Sequence, residues 1–379
     1  MSHGRPPTVL HLWPAARPGA SRVRAPGRRV AGSGLLIAYR LDRSFAWNSA
    51  HVPKLPPRPR KLPDVPGPTL FGRRLESPVG IAAGPLLSSR WIEAYARLGF
   101  GILTYKTVRT AAHPASPHPN ILFCRAGDPA VVEPRPRGRL DPSGITWAVS
   151  LGLPSPAPEE WQADVRRART RMRETQLLIV SVAGTAGPGG EGLAEDYARC
   201  ARLAADAGAD VVEIHLSCPS TAGHAQMVFE DQALSARVVQ AVRRAVGGHA
   251  VIVKLGAFTS PRALHDLATR LAPWVNGFAL VNGLERRVVK PDGTPAFAGA
   301  GREVASIVGA AAYGYCRVQV DELIAWRKAG AWERVILAVG GITSVGRIRE
   351  MLADGADGAL VATAAFADPL IGARFRLAR

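Results

Sequence analysis

Two lysines end runs of apolar residues, Lys106 in Gly101–Lys106 and Lys254 in Ala250–Gly256. An ammonium at the end of an apolar strand is costly to bury without an anion beside it. One such lysine fits a structural ion pair. Two that face one mouth are better explained by a bound anion or an anionic cofactor. Nearer the C-terminus, Gly340–Gly341 and Ala362–Thr363 each follow a short apolar run. Glycine lets an oxyanion approach backbone N–H groups closely, so this placement suits a phosphate. Other runs end in small or polar residues as well: Ala83–Gly84–Pro85, Lys106–Thr107, Ser181–Gly184, Asn282–Gly283 and the set His215-Leu216-Ser217-Cys218-Pro219-Ser220.

The runs that carry these residues are short, apolar and rich in β-formers. They are Val79–Gly84, Gly101–Lys106, Leu177–Gly184, Asp210–Cys218, Ala250–Gly256, Gly277–Gly283, Arg334–Ile342 and Gly358–Phe366. Helical patterns separate them, at Ser88–Leu98, Pro158–Arg173, Leu193–Ala207, Asp231–Val246, Pro261–Leu271, Val320–Ala329 and Val345–Ala353. Continuous apolar strands mean burial on both faces, as in a parallel sheet. Eight strands with crossover helices predict an α/β fold, a (β/α)8 TIM barrel. Functional groups then project from the C-terminal strand ends, and the last two strands commonly hold phosphate. Flavin barrels share that device with lyases and isomerases of phosphorylated metabolites. A Pro/Gly-rich insertion at about 107–157, between the second and third strands, sits over the mouth as a lid. Only thirteen residues follow the last strand, so either the Tyr39–Pro66 segment or a homodimer partner must cover that face.

The 379 residues allow one large domain with a sizeable core. The formal charge of +18 is uneven: twelve of the 48 basic residues and one of the 30 acids lie in residues 1–62, with nine prolines. That segment reads as a basic Pro/Arg-rich tail, disordered or draped over the surface, beginning to pack around Tyr39–Asn48. Residues 63–379 form the barrel. No aromatics interleave with the tail arginines as a nucleic-acid stacking platform needs, so nucleic acid is not the expected partner. Arg28–Arg29 precedes a weak apolar stretch with no small-residue cleavage site, which argues against an export signal. No apolar run spans a bilayer. The four cysteines, Cys124, Cys200, Cys218 and Cys316, form no CxxC and no Cys/His pairing. That argues against disulfides, a structural metal and an iron–sulfur cluster.

Seven segments, in order, resemble the dihydroorotate dehydrogenase family: SPVGIAAGPL (77–86), GFGILTYKTV (99–108), VEIHLSCPS (212–220), VIVKLG (251–256), ALVNG (279–283), LAVGGI (337–342) and LVATAAF (360–366). The resemblance covers about residues 60–370. It implies an FMN cofactor lined by Ala83, Gly84, Lys106 and Thr107. Lys254 would face the flavin edge where negative charge grows on reduction. Gly309, Gly340, Gly341, Ala362 and Thr363 would hold the phosphate. Cys218 falls at the family's catalytic base position, with Lys106 and Lys254 as the other catalytic groups. A thiol with an ordinary pKa of about 8.5 can take a substrate proton when modestly activated. Cys124, Cys200 and Cys316 read as structural, Cys316 lying before the helix that precedes the seventh strand.

The departures bear on the substrate. The family pattern Asn-Leu-Ser-Cys-Pro-Asn reads His215-Leu-Ser-Cys-Pro-Ser220 here, and its Asn-Ser-(Phe/Met)-Gly loop reads Val149-Ser150-Leu151-Gly152. Of four expected asparagines only Asn282 is kept. The implied substrate contacts are Lys106, Ser150, Leu151, Gly152, His215, Ser220 and Asn282. An unpaired buried imide group costs about 1–3 kcal/mol, so three lost amides point away from dihydroorotate. His215 either contacts substrate or flavin and assists Cys218, or replaces the amide as a structural group. The expectation is a cytoplasmic, soluble, FMN-dependent oxidoreductase acting on a C–C bond conjugated to a carbonyl. It would use a small-molecule substrate and electron acceptor. The tail lacks the amphipathic helix of membrane-associated, quinone-linked members. Alternatives are a tRNA-dihydrouridine-synthase-like flavoenzyme, a non-flavin phosphate-binding lyase or isomerase, and a non-catalytic binding barrel.

Overall fold

All eight apolar runs are strands of one closed parallel barrel in the computed structural model, which describes residues 38–57, 59, 62–63, 67–136, 141–187, 191–219, 226–330 and 332–378. The strands are β1 (Val79–Leu86), β2 (Ile102–Val108), β3 (Leu177–Val182), β4 (Val211–His215), β5 (Ala250–Leu255), β6 (Gly277–Leu280), β7 (Val335–Val339) and β8 (Gly358–Val361). Each pairs in parallel with its sequence neighbours, and β8 closes on β1. Every residue of β2, β3 and β4 is buried, because helices cover the outside and side chains fill the inside.

Alternation along each strand sorts its residues between these two cores. Ile102, Leu177, Ile179, Val211, Ile252 and Ala279 pack inside the barrel, with Leu70 and Leu75 of a hairpin (Thr69–Leu70 and Arg73–Arg74) in the same cluster. By the same alternation Lys106, Glu213, His215 and Lys254 share the inner face, higher up, while Leu103, Tyr105, Ile214 and Val253 pack outward against helices. The helices start where the local chemistry caps them. Ser260 accepts from the Ala263 N–H with Pro261 in the first turn, and Ser344 accepts from the Arg347 N–H.

Two parts of the chain exceed the sequence reading. The insertion contributes strands Ile121–Arg125, Ala130–Val132 and Thr146–Val149, and the segment after β6 adds Leu284–Val289 and Val304–Gly309. Together they close a second, five-stranded barrel over the mouth, around Ala148, Leu284, Val288, Phe297 and Ile307. The helix before β7 runs Tyr313–Lys328. It starts seven residues earlier than its pattern predicts, so Cys316 lies within it.

The face left by the short C-terminus is covered from within the chain. The helix Ile371–Leu377 occupies part of it, and Ala38–His51 packs on the rest. The Ala38 N–H donates to the Phe366 carbonyl at 2.8 Å, and Trp91 Nε1 donates to the Asn48 carbonyl at 3.2 Å. Ala38, Tyr39 and Asn48 are buried. The described residues Ala38–His51 are therefore part of the packed body. Residues 1–37, which hold most of the basic Pro/Arg-rich tail and the Arg28–Arg29 pair, lie outside the described residues. Among the described residues no helix is long and apolar enough to cross a membrane.

Candidate functional site

A cavity of about 860 Å³ opens at the C-terminal ends of the strands, between the two barrels. The fold brings there Ala83, Gly84, Lys106, Thr107, Ser150, Leu151, Gly152, His215, Cys218, Lys254, Asn282, Gly309, Gly340, Gly341, Ala362 and Thr363. Ser220 lies outside the described residues.

The two lysines stand as their strand positions require. Lys106 is 5% exposed and Lys254 is 2% exposed. Lys106 Nζ has one hydrogen bond, to the Pro154 carbonyl at 3.3 Å, and lies 5.5 Å from the centre of the Phe45 ring. Burial and the neighbouring Arg109 charge push its ammonium down from 10.5 to about 7. Burial also lowers Lys254, and Glu213 on the inner face of β4 opposes that shift. Glu213 is fully buried, and neither of its oxygens has a hydrogen-bond partner within the protein. No ion pair among the described residues includes Lys106, Arg109 or Lys254. The cavity floor therefore presents Lys106 with no acidic group acting on it among the described residues, and Lys254 with the Glu213 charge nearby.

The loop after β4 carries the thiol. Its course is fixed by backbone bonds: Leu216 N–H to the Lys254 carbonyl, Phe229 N–H to the Leu216 carbonyl, and Val228 N–H to the Cys218 carbonyl. Cys218 Sγ lies 3.2 Å from the His215 carbonyl and 3.0 Å from the Tyr197 hydroxyl. Burial pushes the thiol up from 9.0, while the Tyr197 hydrogen bond and the Arg109 charge act the other way. The His215 imidazole is held well below its ordinary value by burial and by the charges of Lys254, Lys106 and Arg109. Its ring is neutral at neutral pH, and Nδ1 has no protein partner. It can offer a ligand one donor and one acceptor.

The far end of the cavity is built from glycine. Gly309, Gly340 and Gly341 have φ of +88°, +117° and +69°. A Cβ on Gly341 would stand 2.4 Å from the Tyr313 nitrogen and 2.8 Å from the Gly309 carbonyl oxygen, so no other residue fits without moving backbone. This close-set backbone after β7, beside Thr363 at the start of the helix after β8, suits a phosphate group.

Facing this cradle, the loop 149–155 is held from several sides. Arg109 donates to the Leu153 and Gly184 carbonyls at 3.3 and 3.2 Å and to Thr185 Oγ1 at 2.9 Å. Arg302, buried, donates to Ser150 Oγ and to the carbonyls of Pro117, Pro119, Ser150 and Ala298. Glu285 on Leu284–Val289 also lines the cavity, and burial raises its carboxyl.

Sequence reasoning missed Arg109, Tyr197, Glu213, Glu285 and Arg302. Tyr197 sits within a helical pattern and reads as core. Glu213 is the one carboxylate within β4 and carried a detectable signal. Arg109, Glu285 and Arg302 lie in segments whose folding depends on the second barrel.

An eight-stranded parallel barrel with its cavity at the strands' C-terminal ends is the architecture of barrel enzymes. The sequence profile described as dihydroorotate dehydrogenase matches residues 68–288, and the chain belongs to that family. A Dictyostelium discoideum protein named dihydroorotate dehydrogenase is 27% identical over 321 residues, 80% of this chain and 86% of its own. A Bordetella avium protein named dihydroorotate dehydrogenase (quinone) is 26% identical over 362 residues, 92% of this chain and 91% of its own. A Clavibacter sepedonicus protein of the same name is 29% identical over 195 residues, about half of each chain.

Proposed function

We propose that this chain is an FMN-dependent oxidoreductase that adds or removes hydrogen across a C–C bond conjugated to a carbonyl. The observation that carries the reading is a single cavity holding a glycine cradle, two buried lysines that form no ion pair among the described residues, and a thiol on the loop after β4. The cradle at Gly309, Gly340, Gly341, Ala362 and Thr363 would hold the FMN phosphate through backbone N–H groups. Ala83, Gly84 and Thr107 would line the ring system. When bound, the flavin supplies a two-electron acceptor that gains negative charge on reduction. Lys254 would hold the growing charge, with Glu213 helping to keep the ammonium protonated. Cys218 would take a proton from the substrate carbon, its sulfur fixed beside the His215 carbonyl.

The substrate would carry an anionic group set against Lys106. Its polar edge would face Ser150, Leu151, Gly152, His215 and Asn282. The relatives are named for dihydroorotate, and two supports argue that this chain takes another ring or unsaturated acid. Val149 lines the cavity with no polar group. His215 brings an imidazole with an unpartnered Nδ1 in place of an amide. Electrons would then pass to a small-molecule acceptor. The test is anaerobic stopped-flow reduction of the bound flavin by dihydroorotate, dihydrouracil and saturated carboxylic acids in turn. Fast bleaching by a compound other than dihydroorotate is expected. Fast bleaching by dihydroorotate alone would contradict the substrate assignment, and no bleaching by any of them would contradict the reaction class.

A further inference from the structure

We propose that Tyr197 is the positioning residue for Cys218, its hydroxyl hydrogen turning between the His215 carbonyl and the sulfur as that sulfur gains and loses a proton. This rests on Cys218 acting as the base in the function proposed above. Tyr197 lies on the helix Leu193–Asp206 and is fully buried. Its hydroxyl is 2.7 Å from the His215 carbonyl oxygen and 3.0 Å from Cys218 Sγ, and Sγ is 3.2 Å from the same carbonyl oxygen. The three atoms form a closed triangle within hydrogen-bonding reach.

In this triangle the thiol and the thiolate call for different hydrogen arrangements. With a thiol at Cys218, S–H and the phenol O–H both donate to the carbonyl, whose oxygen has two lone pairs. With a thiolate, sulfur has no hydrogen to give and becomes an acceptor. The phenol hydrogen then turns about its C–O bond and donates to sulfur. No heavy atom has to move. The ring is held tightly, since a Cβ on Gly184 would stand 2.5 Å from Tyr197 Cδ2. Burial keeps the phenol protonated, because it lies well above its ordinary value. Without the turn, the thiolate would sit buried beside a carbonyl oxygen, with no donor from this group.

The proton step balances simply. The substrate C–H bond breaks and an S–H bond forms on Cys218. The electron pair left behind would form the new C=C bond, and the neighbouring carbon would give up hydride to the two-electron acceptor of the proposed function. Tyr197 keeps its own proton throughout and touches no substrate.

The test measures Cys218 itself, in the flavin-loaded protein. The rate of Cys218 alkylation by iodoacetamide is followed against pH, with the modified peptide resolved from those of Cys124, Cys200 and Cys316. In Tyr197→Phe the midpoint should rise by about one unit, so that alkylation near neutral pH slows about tenfold, with the high-pH plateau unchanged. Replacing Tyr197 by 3-fluorotyrosine, a stronger donor of nearly the same size, should move the midpoint the other way even if the phenylalanine variant folds poorly. Unchanged midpoints would overturn the proposal. Cys218→Ala separates it from the base assignment. If that variant is reduced by substrate at the full rate while the midpoints still shift, the pairing with Tyr197 stands and the catalytic reading of Cys218 falls.

Discussion

Lys106 is held buried at a cost in stability, and Lys106→Met should expose that cost. In the folded protein its pKa is depressed to about 7, against 10.5 when free. Below pH 7 both states are protonated and the folded state bears the whole penalty. Between 7 and 10.5 the folded lysine is neutral while the unfolded one is still charged, so the penalty shrinks as pH rises. At about 1.4 kcal/mol per pKa unit its ceiling is about 5 kcal/mol. Relaxation and water entry in an open cavity reduce this to about 2–3 kcal/mol. Methionine also leaves the Pro154 carbonyl without its 3.3 Å donor, a loss of about 1 kcal/mol. The net expected gain is about 1–2 kcal/mol at pH 6, or about 1–3 °C in melting temperature for a chain of this length. Differential scanning calorimetry of both proteins from pH 6 to 10 measures it. The gain should vanish towards pH 10. A variant no more stable than the parent at pH 6, or a gain independent of pH, would refute the reasoning. Flavin reduction by substrate should collapse in the same variant.

Gly341→Ala should weaken FMN binding at least tenfold in a fluorescence titration, because φ of +69° costs a side chain about 1–2 kcal/mol and the Cβ meets Tyr313 and Gly309 backbone. Cys218→Ala should retain flavin but slow its anaerobic reduction by substrate about 10²–10⁴-fold. Because burial raises the thiol above 9.0, the maximal rate of flavin reduction should climb with pH towards and beyond 9. Anionic substrate should meanwhile bind more weakly above about 7, as Lys106 loses its proton. Steady-state kinetics then show kcat and KM rising together. Arg302→Ala strands carbonyls on both sides of the mouth. It should cost about 2–4 kcal/mol in a urea titration and raise KM by loosening the Ser150 loop.

The barrel is legible in the sequence because its strands are buried on both faces. A run such as ILTYKTV at 102–108 has no polar alternation to disguise it, and its end is marked by the lysine that breaks the pattern. The second barrel is not legible for the opposite reason. Its strands are three to six residues long, and one of them reads LERRVV. Its two contributions also lie more than 130 residues apart in the chain, and only their meeting over the mouth buries them. The glycine cradle and the lysines are legible because their chemistry contradicts their surroundings. Tyr197 is not, since a tyrosine on the inner face of an amphipathic helix looks like packing until its hydroxyl is seen beside a sulfur. The covering role of Ala38–His51 is legible only as one of two alternatives, inferred from the thirteen residues left after the last apolar run.

The most direct measurement is the visible absorbance of the purified protein, followed by heat release and identification of whatever chromophore it holds. Flavin bands are expected, at full occupancy after incubation with FMN, with FMN as the released species. No flavin band after that incubation would contradict the central claim, and the cradle after β7 would then belong to the phosphate of a substrate.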